Sequence, residues 1–353
     1  MSGTISHNPN EVFFMRVLKS AAVATACATS LIAWGLHIHT KAASPRKTIA
    51  TEEEFHQAMK DLSNWNRWGP DDELGAANLI TPAKRKQAAA LVKEGLPVSM
   101  EHPIFQEDVP DGSGHLERTV VSARPSGTSD KYAFTGSYHG SIFSHLDAIN
   151  CHMLEDGKGY NGRTWEDVKA ANGCPKGDIS ALKDGVVTRA VLFDATLIPG
   201  KSSKGWLEPG TAVHREDLEA LEKLEHVKVT EGDVILLYTG RWKRRAAVGP
   251  WKTSEGVAGY HADVAFFLKE RGVSFIGEDE WNDVSPTTLP QAVGLPVHKL
   301  ALIALGVDIF DNLDLERVVE TARRLNRYEF MFTAAPLVIE KGTGSPLNPL
   351  AIF

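Results

Sequence analysis

Three histidines and an aspartate fall within one short segment, Tyr138 to His152, which reads YHGSIFSHLDAINCH. His145 and Asp147 are two residues apart, so in an extended strand both side chains leave the same face. Imidazole nitrogen plus carboxylate oxygen is a mixed donor set that suits Zn²⁺ or Mn²⁺. Ser144 stands beside them, where it could orient a water or a ligand. The competing reading is a surface loop that happens to hold histidines, and spacing alone does not choose between them.

A second pair lies far downstream. His298 opens the apolar run HKLALIAL, and Asp311-Asn312 ends the strand that follows. A helix-to-strand reversal can bring those two side chains together; alternatively His298 caps its helix and Asp311 starts a turn. Asp279 and Asn282, within GEDEWND at residues 277–283, follow a predicted strand and either bond a substrate or form a polar turn. Arg241 could pair with a substrate carboxylate, or join Lys243, Arg244 and Arg245 on a solvated face. Trp65, Trp68 and Trp281 could wall an aromatic pocket or pack in the core.

Several chemistries lose support from what is missing. There is no G-x-S-x-G for a nucleophile elbow, no H-E-x-x-H and no C-x-x-C. Pro199-Gly200-Lys201-Ser202 resembles the end of a phosphate loop, but Ala195 stands where the first glycine belongs, so it reads as a surface turn. Gly112-Ser113-Gly114 lacks the third glycine of a dinucleotide fingerprint.

These candidates need a scaffold, and the pattern supplies one. Thr51-Glu52-Glu53-Glu54 is a capping box opening a helix to about Leu62. Thr81-Pro82 starts another, closed by Gly95. Residues 189–194, 233–239, 273–277, 307–310 and 328–339 read as strands. Residues 214–226, 262–272, 296–305 and 314–326 read as helices. Strands and helices alternate, so the expected fold is an α/β layer structure. With no repeat and no low-complexity linker, residues 44–353 are expected to form one domain.

Residues 20–36, SAAVATACATSLIAWGL, carry no charge; Arg16 and Lys19 precede them and small residues follow Lys41. This is the order of a secretory signal, so residues 1–43 read as a leader and the protein as exported, to the periplasm in the cleaved form. An uncleaved membrane anchor through 20–36 is the second reading, and a buried core helix the third. The chain has 353 residues and a net charge of −7; residues 1–43 carry +2, leaving −9 on the rest. That acidic balance disfavours a nucleic-acid partner held by phosphate contacts. Cys151 and Cys174 remain outside the leader and could pair in an oxidising compartment.

Taken in order, a set of segments resembles the metal-dependent cyclase family, which includes bacterial kynurenine formamidase and isatin hydrolase, and within it the larger bacterial members. They are WGPDDELG from Trp68, NLITP from Asn78, His139-Gly140 with HLDA from His145, Asp156-Gly157-Lys158 with Tyr160-Asn161-Gly162, WLEPG from Trp206, TGRW from Thr239, DNLDL from Asp311 and GSP from Gly344. The resemblance runs from about Trp65 to Phe353.

It implies a swivelling β/β/α single domain and a divalent metal, Zn or Mn. Carried over by position, the ligands fall on His139, His145, Asp147, His298 and Asp311, and the catalytic base on His152. Trp68, Asp279 and Asn282 are candidates for substrate contact. The sequence differs from the family motif in three places. The first two histidines are six apart instead of four, the interval from His145 to His152 is one longer than usual, and Asp311 stands where glutamate is usual. The implied activity is hydrolysis of an amide, lactam or ester carbonyl in a small molecule, arylformamidase-like, by a homo-oligomer. The alternatives are an exported binding protein without catalysis, and a lyase or dehydratase on the same metal site.

Overall fold

The computed structural model describes residues 48–141, 143–150, 152–290 and 293–353. The leader or anchor reading of residues 1–43 lies outside them. In chain order the strands are β1 (Pro97–Ser99), β2 (Leu116–Arg124), β3 (Gly127–Phe134), β4 (His145–Asp147), β5 (Val186–Asp194), β6 (Ala212–Val213), β7 (Val234–Tyr238), β8 (Gly259–Tyr260), β9 (Phe275–Glu278), β10 (Asp308–Asp311), β11 (Glu329–Ala334), β12 (Gly344–Pro346) and β13 (Leu350–Ile352). The helices are α1 (Glu52–Asp61), α2 (Pro82–Ala89), α3 (Trp165–Ala171), α4 (Arg215–Leu224), α5 (Arg241–Val248), α6 (Val264–Arg271), α7 (Pro296–His298) and α8 (Glu316–Leu325).

Strands buried along nearly their whole length must be covered on both faces. Strands β5, β7, β9 and β10 are such a parallel group at the centre of a mixed sheet ordered β1-β13-β11-β5-β7-β9-β10-β4-β12. Antiparallel strands extend both edges. Side chains alternate between two cores. Val191, Phe193, Ile235, Leu237, Ile276 and Ile309 join one, with the apolar residues of α4, α6 and the segment after His298. Leu192, Leu236, Phe275, Phe310 and Leu146 join the other, with α8.

That alternation aims the chemistry. Strand β4 pairs with β10 so that Asp311 faces His145 and Ile309 faces Asp147. Ile309 belongs to the first core, so Asp311, His145 and Asp147 all leave the sheet on that side. The helix beginning at α7 lies over the same side and brings His298 down onto them.

Local signals read from the sequence recur here. Thr51 and Glu54 form the reciprocal capping box of α1, Thr81 caps α2 with Pro82 at its first turn, and Gly272 ends α6 in the left-handed region. Three expectations need correction. Helix α2 ends at Ala89, six residues before the Gly95 expected to close it. The run 296–305 is not one α-helix: after the single turn of α7 it widens into a π-helix, Lys299–Leu305. The carbonyls it releases find other donors. Ile303 O accepts from Trp65 Nε1 at 2.6 Å, Ala304 O from Asn64 N at 2.7 Å, and Leu305 O from Asn64 Nδ2 at 2.9 Å. The strand expected over 328–339 stops at Ala334, two residues before Pro336, which has no amide to pair. The β2–β3 hairpin, unread in the sequence, pairs only with itself and exposes most of both strands. Among the described residues no helix is long and apolar enough to cross a membrane.

Candidate metal and active site

The register and α7 together create a cleft of about 450 Å³. His139, His145, Asp147, His152, His298 and Asp311 all line it, together with Trp281, Leu295 and Thr343. His145 Nε2 lies 3.4 Å from Asp147 Oδ1 and 3.5 Å from Asp311 Oδ2. His298 Nε2 lies 3.3 Å from Asp311 Oδ2 and 3.8 Å from Asp147 Oδ2.

The far side of each ring determines what these nitrogens carry. His145 Nδ1 is 2.8 Å from the Phe143 carbonyl, which can only accept, so the proton is on Nδ1. His298 Nδ1 is 2.6 Å from Asp283 Oδ2. Both rings in their neutral form therefore turn an Nε2 lone pair toward two buried carboxylates. Lone pairs facing carboxylate oxygens at this range repel unless a cation lies among them. Donor atoms sharing a four-coordinate ion with ~2.0–2.1 Å bonds lie about 3.3–3.4 Å apart, close to the separations here. The donor set thus fits a divalent metal, and the carbonyl and carboxylate behind each imidazole are the usual outer partners of such a site.

The charges agree. Burial would raise the Asp147 carboxyl, but His139, His152 and His145 hold it well below its ordinary value. Burial would lower His298, yet Asp311 and Asp283 keep that imidazole well above its ordinary value. Without an ion, the pocket draws in protons to offset its carboxylates; a metal would displace them. His139 Nε2 is hydrogen-bonded to Thr343 Oγ1 at 2.7 Å, and its Nδ1 lies 2.7 Å from Asp147 Oδ1, a buried oxygen with no hydrogen-bond partner among the described residues. Its Nδ1 still falls within one group of possible ligands with His145 and Asp147, while Asp147, His298 and Asp311 form another. Asp147 is common to both. His152, about 31% exposed, places Nε2 3.4 Å from Asp147 Oδ2 at the open side of the cleft.

The three substrate-contact candidates lie elsewhere. Asp279 is fully buried and accepts from Thr239 N, Thr239 Oγ1, Gly240 N and Arg241 N, fixing the start of α5; burial pushes its carboxyl up to about 6. Asn282 sits behind the cleft, donating to Asp311 Oδ1 at 2.6 Å and Phe310 O at 2.9 Å, so it positions a candidate ligand. Trp68 packs against the first core under the Arg67 guanidinium. Ser144 is spent on the Asn312 carbonyl at 2.8 Å.

Arg241 is neither a surface charge nor a substrate partner. It is 2% exposed, donates to Asn312 Oδ1 at 2.6 Å and to the Ser141 carbonyl, and pairs with Glu280 at 3.2 Å. With Asn312, which donates to Gly140 O, it clamps the backbone between His139 and His145. Asp283 was also unread. Besides His298 Nδ1 it accepts from Val297 N at 2.6 Å and His298 N at 3.1 Å, fixing the helix start and the ring together. Replacing it with asparagine, Asp283→Asn, keeps the shape but loosens the ring; metal affinity should fall by about 10–100-fold in a competition titration with a coloured chelator.

A further His-Asp group, His214, His261 and Asp263, is different in kind. Asp263 is 2.7 Å from His214 Nδ1 and 3.0 Å from His261 Nδ1, and it accepts from Arg215 N at the start of α4. It lies at the N-terminal ends of α4 and α6, where an anion is favoured and a cation is not.

Comparison with known proteins agrees with this architecture. The family described as putative cyclase matches residues 90–283, more than half of the chain. The chain belongs to that family. A crystal structure described as a novel cyclase is 26% identical, with a TM-score of 0.70 over 84% of this chain and 99% of the other. Isatin hydrolase A from Labrenzia aggregata, solved with benzyl benzoate, is 20% identical with a TM-score of 0.50, over 76% of this chain and 99% of its own. Isatin hydrolase A from Ralstonia solanacearum is 19% identical with the same TM-score, over 77% and 97%. These share the swivelling α/β fold with its curled mixed sheet. No curated protein matches the chain.

Proposed function

We propose that this protein is a metal-dependent hydrolase that cleaves an amide, lactam or ester carbonyl of a small molecule, in the manner of an arylformamidase. The observation that carries the reading is the convergence of the His145 and His298 Nε2 lone pairs on Asp147 and Asp311, with His152 alongside. The fold shared with isatin hydrolases supports the same class of chemistry.

His139, His145, Asp147, His298 and Asp311 would hold the ion, either Zn²⁺ or Mn²⁺. When bound, a divalent cation supplies Lewis acidity, polarising a carbonyl oxygen and making water a better acid. His152 Nε2 takes the proton of the attacking water and returns it to the departing nitrogen or oxygen. Asp147 Oδ2, 3.4 Å away, stabilises the imidazolium formed between those two steps. Phe143 O and Asp283 keep the His145 and His298 rings turned inward throughout.

The cell-biological part of the reading is export, with residues 1–43 as leader or anchor. In support, Cys174 is buried and disulfide-bonded, as suits an oxidising compartment. Homo-oligomer formation is supported by exposed Val120, Val121 and Tyr132 on the hairpin and by exposed Leu337, Val338 and Ile339, Leu337 lining the same surface hollow as Tyr132.

The deciding experiment combines metal analysis of purified protein with hydrolysis of N-formylkynurenine, isatin and simple aryl amides. Activity should disappear on complete chelation and return with Zn²⁺ or Mn²⁺. Turnover that survives complete metal removal would end this mechanism, and a product mass without added water would redirect it to a lyase.

A further inference from the structure

Beyond the cleft lies a second chamber of about 480 Å³, and the two share Trp281 and Leu295 as a common wall. The second chamber is bounded by Val284, Pro286, Leu289 and Pro296 on its apolar sides. Several of its polar groups are already engaged, while Trp281 Nε1 in the shared wall is a buried neutral donor without a partner among the described residues. Ser285 exchanges both backbone bonds with Val257, Thr287 Oγ1 accepts from Leu289 N, and the Asp283 carboxylate serves Val297 and His298. No lysine or arginine lines either chamber among the described residues.

Leu295 sits where the chambers meet, in the left-handed region (φ 50°), and its side chain is 44% exposed. A leucine rarely takes that backbone, and such positions gather at ligand sites. The chain holds an apolar side chain there, against its conformational preference, in the wall between the His-Asp cluster and the apolar space.

We infer that the substrate is a neutral, elongated acyl compound: its carbonyl lies at the His-Asp cluster and an uncharged hydrophobic tail passes Trp281 and Leu295 into the second chamber. This rests on the hydrolase reading above and adds the substrate class. A carboxylate on that tail would be buried without a cationic partner, which is costly. Arg241, the one arginine suspected of receiving it, is consumed inside the protein.

The test uses metal-loaded full chain and a ligand series that needs no turnover. Acetyl, butyryl, hexanoyl and octanoyl hydroxamates are titrated calorimetrically, with the mono-hydroxamate of adipic acid as the charged match to the hexanoyl compound. Affinity should rise by about two- to fourfold per methylene until the chamber is filled. The adipic compound should bind at least about tenfold more weakly than its neutral match. Thr287→Trp, which fills the second chamber, should flatten the series while leaving acetohydroxamate binding unchanged. Equal affinities along the wild-type series overturn the inference, and that series decides it even if the variant does not fold. Hydrolysis of the matched anilides reports separately on the parent reading: turnover with no length dependence in binding leaves the hydrolase and removes the tail chamber. Failure of every hydroxamate to bind overturns both.

Discussion

Asp147→Asn is expected to remove the bound metal and hydrolysis together. Asp147 is the carboxylate common to both ligand groups, and four imidazoles gather on it: His139 at 2.7 Å, His145 at 3.4 Å, His152 at 3.4 Å and His298 at 3.8 Å. Asparagine keeps the volume but removes the charge and turns one oxygen into a donor, which faces imidazole nitrogens instead of a cation. We expect metal content after dialysis to fall below a tenth of wild type. The rate should fall by about 10³-fold or more, equivalent to about 4 kcal/mol of transition-state stabilisation. Mass spectrometry of the metal and a single-substrate assay read the two effects. A variant that keeps its metal at wild-type stoichiometry would show that Asp147 is not a ligand.

His152→Ala separates chemistry from binding. The side chain is partly exposed at the rim and meets the cluster through Asp147, with the His298 ring 5.7 Å from its own. Loss of a general base typically costs 10²–10⁴-fold in rate. We expect kcat to fall by about that factor, with metal content unchanged and KM nearly so, because the group acts in the transition state. A protein that only binds its ligand would show no turnover to lose, whatever stands at this position. Retention of full kcat would transfer the base role to another group, with His139 next in reach of the same carboxylate.

The local grammar of the chain was readable; the meeting of its distant parts was less so. Capping boxes, Pro82 and Gly272 announce helix ends because they act within a few residues. The His-x-Asp pair on one strand face follows from a two-residue period. The pairing that brings in Asp311 does not, since β4 is only three residues long and two of them are polar. Its apolar signal is a single Leu146. The widening of the helix after His298 depends on donors from Asn64 and Trp65, which no pattern within 296–305 records. Arg241 read as a solvated charge because its neighbours are basic, whereas burial beside Glu280 and Asn312 is a tertiary fact. The family resemblance supplied the grouping of His145 with His298 that periodicity could not.

The donors on β4 come from the middle of the chain and those on α7 and β10 from its last quarter. Until the carboxy-terminal quarter has been added and packed, only half a chelate exists, too weak to discriminate among ions. Selection must therefore happen wherever the finished polypeptide collapses, from the free cations of that compartment. If translocation precedes collapse, the cytosolic supply never competes, and two cells expressing the same gene to different destinations would yield differently loaded enzymes.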